Sequence, residues 1–111
     1  MIDGVGIDIV NVKEFRSLVN DKFVLKYFSK EEKNLKIEKL AGRFAAREAL
    51  FKAMKDQEKF KIEDIEITLK GKPHFVFKND MTSIFAQYKV YLSISNLTDY
   101  SIAIVLIEKA P

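Results

Sequence analysis

The chain has 111 residues, 48% apolar and 32% charged, with no cysteine, which fits one domain over 1–111 and excludes a disordered polymer, a disulfide scaffold and thiolate chemistry. Met1-Ile2-Asp3-Gly4 lacks the segments of a secretion signal and Ile102 to Ile107 is too short to span a bilayer, so a cytoplasmic protein with no membrane anchor is expected. The net charge of +3 is uneven, with 14 Lys/Arg against 8 Asp/Glu in residues 13–61 and 5 against 8 elsewhere; an acidic protein, a phosphorylated ligand or nucleic acid is one reading of that bias, ordinary solubility the other.

Val5, Ile7 and Ile9 alternate with Gly4, Gly6 and Asp8, a strand pattern in which Asp8 shares a face with two glycines. Those glycines are expected to leave open space and bare backbone beside the carboxylate. From Val12 the period changes, and Val12, Phe15, Leu18, Val19 and Phe23 fit one helix face decorated by Lys13, Arg16, Lys22 and Lys26. Ser29-Lys30-Glu31-Glu32 matches a capping box, predicting a second helix from Ser29 into Leu35, Ile37 and Leu40. Gly42 marks either a close packing contact or a break before a third helix over Leu40–Met54.

That third helix carries Glu48 one turn after Phe44 and one turn before Phe51 and Lys52, on or beside its apolar stripe. A carboxylate there needs a cation as partner, because burying it alone is costly. After a polar connector, Ile65, Ile67 and Leu69 alternate as a strand, Gly71-Lys72-Pro73 turns the chain, and His74 to Lys78 returns. Asp80 is placed to cap a short helix carrying Ile84, Phe85 and Tyr88. Val90, Leu92 and Ile94 form a further strand, and Ile102 to Ile107 is expected to be the most buried one. One strand, three helices, a hairpin, a short helix and a final hairpin make an α+β fold.

Four constellations bear on chemistry. Asp8 and Glu48 can jointly hold a divalent cation, since magnesium accepts one or two carboxylates and completes its sphere with water and phosphate oxygens. The plainer reading has Asp8 capping the following helix and Glu48 pairing with Lys52 at i, i+4. Arg43, Arg47, Lys52 and Lys55 either grip phosphate oxygens or form a solvated basic face. Lys13, Arg16, Lys22 and Lys26 either dock an acidic helix or face solvent. Ser93 and Ser95, ending in Asn96, either line a polar pocket or belong to an ordinary strand and turn. His74 reads as a surface residue. No complete dinucleotide loop or P-loop is present, and there is no basic-aromatic platform for nucleic acid.

Several segments, in this order, resemble those of the holo-acyl-carrier-protein synthases, the short bacterial 4'-phosphopantetheinyl transferases. They are Gly4-Val5-Gly6-Ile7-Asp8-Ile9-Val10, Phe28-Ser29-Lys30-Glu31-Glu32, Leu40-Ala41-Gly42-Arg43-Phe44-Ala45-Ala46-Arg47-Glu48-Ala49, Asp64-Ile65-Glu66-Ile67, Gly71-Lys72-Pro73, and Leu92-Ser93-Ile94-Ser95 followed by Tyr100. The resemblance implies the 4'-phosphopantetheinyl transferase fold, an antiparallel sheet packed on a long central helix. It implies transfer of the 4'-phosphopantetheine arm of coenzyme A to a serine of apo acyl carrier protein, with release of adenosine 3',5'-bisphosphate, in fatty acid synthesis. Asp8 and Glu48 would hold magnesium on the coenzyme A pyrophosphate. Arg43 and Lys52 would bind its phosphates, with Ser95 and Asn96 also at the coenzyme A site. Lys13, Arg16, Lys22 and Lys26 would dock the carrier, and the enzyme would be a homotrimer sharing its sites between subunits. Three positions depart from the family. Asn96 stands where histidine is usual and cannot titrate near neutral pH. Lys55 to Lys61 replaces a glycine-rich turn, and Glu14 replaces a frequent basic residue. The first two motivate the alternative of a non-catalytic module that binds coenzyme A or an acidic protein.

Overall fold

In a computed structural model, β1 (Ile2–Asn11) runs antiparallel to β5 (Tyr100–Lys109), which runs antiparallel to β4 (Tyr88–Asn96), giving a three-stranded sheet in the order β1-β5-β4. The structure describes the backbone of residues 1–111 and all side chains except those of residues 24 and 25. Register sets Asp8 opposite Ala103 and Ala103 opposite Ile94. One face therefore carries Gly6, Asp8 and Val10 with Ser101, Ala103, Val105 and Ile107, and α3 (Ile37–Ala53) covers it. The expectation for Ile102 to Ile107 holds only in part: its strand is central, but Ile104, on the other face, is exposed.

Two glycines set how closely α3 approaches. A Cβ on Gly6 would stand 1.8 Å from the Ala49 carbonyl oxygen, and one on Gly4 2.0 Å from that of Ala53. The open space expected beside Asp8 is therefore filled by helix backbone. Small residues on the helix complete the fit, since Ala45, Ala46 and Ala49 are fully buried. Gly42 is a close contact within one continuous helix, not a break: a Cβ there would meet the Asn96 amide at 2.3 Å and Ile94 at 2.8 Å.

The region predicted as one helix from Val12 is two, α1 (Val12–Leu18) and α2 (Asp21–Tyr27). Asn11 caps the first by accepting from the Glu14 N–H at 3.0 Å, so Asp8 is not the cap. Val19 ends α1 in extended conformation, and the Asn20 side chain accepts from the Phe23 N–H at 2.9 Å. The break exposes Leu18 and turns Phe23 inward, where Phe15 and Phe23 each lie 5.5 Å from the Phe44 ring of α3.

The helix predicted from Ser29 is a 3-10 turn at Glu32–Asn34 instead. Half of the capping box forms, as Glu32 Oε1 accepts from the Ser29 N–H at 2.9 Å. The rest of that fully buried carboxylate goes to α3: Arg47 donates to Oε1 at 2.7 Å and to Oε2 at 3.2 Å, and Arg43 donates to Oε2 at 3.1 Å. Burial pushes the Glu32 carboxyl up, but the hydrogen bond and charge of Arg47, with help from Ser29 and Arg43, outweigh it and hold it below its ordinary value.

β2 (Ile65–Ile67) and β3 (Phe75–Phe77) form a separate two-stranded sheet. Arg43 ties it to α3 by donating to the Ile67 and Thr68 carbonyls at 3.1 and 2.8 Å. His74 is exposed on this hairpin, bonded to Thr68. In α4 (Asn79–Ile84), Asp80 lies inside the first turn and pairs with Lys61 at 2.6 Å rather than capping.

Candidate active site

β1 delivers Asp8 to the α3 side of the sheet two residues after Gly6, where strand and helix are closest. α3 offers Glu48 on the part of its surface that neither the sheet nor the arginine cluster covers, and Glu48 is half-buried. α1 closes the third side, because its cap Asn11 follows Asp8 by three residues. Together Asp8, Asn11, Glu14, Phe15, Phe44 and Glu48 line a groove of about 280 Å³.

Electrostatics in this groove are unbalanced. Burial, then the charge of Asp8, pushes the Glu48 carboxyl above its ordinary value, and Lys52 only partly opposes this. Lys52 Nζ donates to Asp8 Oδ1 at 2.7 Å and to the Ile7 carbonyl at 3.1 Å. Lys52 therefore pairs with Asp8 and not, at i, i+4, with Glu48. Further along β1, Lys55 pairs with Asp3 at 2.9 Å. Among the described residues no group of three or more His, Cys, Asp or Glu side chains has metal-site geometry. The two carboxylates nevertheless suit a hard divalent cation that takes few protein ligands. Both are oxygen donors lining one groove, and such a cation relieves the repulsion that adds to burial in raising the Glu48 carboxyl.

The structure brings Asp8, Glu48 and Lys52 together. It sends Arg43 elsewhere: its side chain is 8% exposed and its guanidinium is engaged by Glu32, Ile67 and Thr68, all within its own chain. Arg43 is a strut between α3 and the β2–β3 hairpin, and its donors do not open onto the groove. Of the two readings of Ser93, Ser95 and Asn96, the ordinary strand and turn fits and a single polar pocket does not. Strand alternation puts both serines, exposed, on the face away from α3. Asn96 points the other way, and its Oδ1 accepts from the Ser101 hydroxyl at 3.1 Å. Lys13 and Arg16 on α1, and Lys22 and Lys26 on α2, are all exposed, so the helix break divides the basic row in two. Arg16 lies 3.8 Å from Glu38.

Glu14, in sequence only a departure from the family's frequent basic residue, lines the same groove as Asp8 and Glu48. Its signal was the spacing Asn11-Val12-Lys13-Glu14, a cap followed three residues later by an acid, which fixes the first turn of α1 beside the end of β1. The spacing of Glu32 shows a cap alone and nothing of its two arginine partners.

The profile of the 4'-phosphopantetheinyl transferase superfamily matches residues 4–105. The chain is 38% identical to the holo-[acyl-carrier-protein] synthase of Clostridium kluyveri, over 97% of this chain and 91% of that one. It is 39% identical to that of Borreliella afzelii, over 94% and 97%. A crystal structure of a holo-(acyl-carrier-protein) synthase from Bacillus anthracis in complex with CoA (3',5'-ADP) superposes with a TM-score of 0.82 at 32% identity, covering 99% of both chains. An antiparallel sheet on one central helix, a groove holding Asp8 and Glu48, and a match over nearly the whole length agree: the chain belongs to the 4'-phosphopantetheinyl transferase superfamily.

Proposed function

We propose that this protein transfers the 4'-phosphopantetheine group of coenzyme A to a serine hydroxyl of apo acyl carrier protein, in support of fatty acid synthesis. The serine oxygen forms a bond to the β-phosphorus, and the bond from that phosphorus to the bridging oxygen breaks, releasing adenosine 3',5'-bisphosphate. The observation that carries this reading is that Asp8 and Glu48 line one groove, with Lys52 on Asp8 at 2.7 Å.

Asp8 and Glu48 would hold magnesium, which when bound draws charge off the pyrophosphate oxygens and so favours departure of the bisphosphate. Lys52 is the groove's cation for a phosphate. The hydrophobic floor of Phe15 and Phe44 excludes water from one side. Lys13, Arg16, Lys22 and Lys26 give α1 and α2 a basic outer surface next to the groove, suited to an acidic carrier; Glu14 is the exception on that surface. Ser95 and Asn96 do not reach this groove within one chain. Their contribution to coenzyme A binding would come in a homotrimer that shares sites between subunits. No helix among the described residues is long and apolar enough to cross a membrane, in keeping with a cytoplasmic enzyme.

Mass spectrometry of apo carrier protein incubated with coenzyme A, magnesium and this protein tests the proposal. The carrier is expected to gain one phosphopantetheine, and Glu48→Ala is expected to slow this on the order of a thousandfold with an unchanged circular dichroism spectrum. No gain with several carriers, together with coenzyme A binding by calorimetry, would support the non-catalytic module instead.

A further inference from the structure

The Lys52–Asp8 pair bears on how the groove takes up its cation. Lys52 Nζ lies 2.7 Å from Asp8 Oδ1 and is steadied by the Ile7 carbonyl at 3.1 Å. The two partners differ in freedom: the Asp8 side chain is 16% exposed and fixed on a sheet strand, while that of Lys52 is 51% exposed at the end of a flexible stem. Lys52 also stands one helical turn from Glu48 and acts on its charge. A single ammonium thus pairs with one of the two acids that the proposed function assigns to magnesium and stands one turn from the other.

We propose that Lys52 is the resident counter-ion of the cation site, surrendering Asp8 when a divalent cation loads and turning to the phosphates of coenzyme A. This rests on the reading of Asp8 and Glu48 as cation ligands. Asp8 Oδ1 cannot be given fully to both an ammonium and a metal, and the half-exposed lysine is the partner that can leave. Asp8, Glu48 and Lys52 together sum to −1. With a divalent cation added they sum to +1, and the lysine is free to meet a phosphate as a point charge. The same side chain therefore competes with the metal and, once displaced, helps the substrate.

Manganese binding in the absence of coenzyme A, followed by the electron paramagnetic resonance of free Mn²⁺, isolates the first half. Lys52→Met is expected to bind Mn²⁺ roughly threefold to tenfold more tightly than the wild type, the range that losing one competing, partly exposed ion pair allows. Adding Asp8→Asn is expected to erase that gain. Unchanged or weaker binding by a folded Lys52→Met overturns the exchange. On the wild type, the Lys52 ammonium protons seen by NMR should lose protection from solvent as Mg²⁺ is added; continued protection at saturation overturns it without any variant. Transfer at saturating metal should fall in Lys52→Met despite its tighter binding. Wild-type transfer without an affinity gain in Lys52→Met sinks the exchange alone, whereas a wild type that binds no Mn²⁺ sinks the cation-site reading with it.

Discussion

Glu48 sits where burial and Asp8 both oppose its charge, and its carboxyl is held above the ordinary 4.5. A carboxyl raised in this way binds its proton more tightly folded than unfolded. The resulting stability is present below the unfolded value and is lost as pH rises from there through the raised folded one. Glu48→Gln mimics the protonated form at every pH. Its urea midpoint, measured with a chelator present, should match the wild type in acid and exceed it above the raised value; equal midpoints across the range would contradict the strain assigned to Glu48. Saturating Mg²⁺ should reverse the order, because only the wild type then gains a ligand. Asp8 and Glu48 were legible in the sequence because each breaks its local pattern, one among strand glycines and the other beside an apolar helix stripe. Arg43 was not. Its partners Glu32, Ile67 and Thr68 lie 11, 24 and 25 residues away, across an irregular turn and a connector whose path no periodicity describes.

At the scale of elements, the site depends on how closely α3 lies on β1. Gly6 permits that approach, and its neighbour is the Ala49 backbone, which cannot rotate aside. Gly6→Ala must therefore lift the strand or shift the helix, carrying Asp8 away from Glu48. Overpacking of this kind costs about 3 kcal/mol where the obstacle is rigid, read as a lower urea midpoint. Transfer should fall more than stability does at temperatures where the variant is still folded. A variant as stable and active as the wild type would show that the close approach is not needed. The strand, its glycines and the long helix are all readable from period and composition, but their proximity is not, because in sequence Gly4 and Gly6 imply open space as readily as a close approach. The break between α1 and α2 did have a local sign, Asn20 before Asp21, yet a continuous apolar period across Val19 concealed it. Its consequence is tertiary: Phe23 packs on Phe44, and the basic surface divides between two helices.

The whole molecule has a second surface to account for, the sheet face away from α3. Register places Val5, Ile7 and Ile9 of β1 beside Leu106, Ile104 and Ile102 of β5, with Tyr91 of β4 next to Leu106. Val5, Ile7 and Ile9 are 54%, 53% and 60% exposed. Such a continuous apolar patch across three strands is uncommon on a monomer and suits association with further copies. Ser93 and Ser95 share this face, so the proposed trimer would bring them to a neighbour while leaving Asp8 and Glu48 on the opposite side of the same strands. Ile7→Asp probes this without disturbing the groove directly, because its side chain leaves the sheet on the outer face while its carbonyl still accepts from Lys52. Sedimentation is expected to find a trimer for the wild type and a monomer for the variant. Transfer should then be lost although the monomer stays folded, since each site would lack its neighbour's contribution. A monomer with full transfer would refute the shared site, and a trimer that survives Ile7→Asp would place the subunit contact on another face.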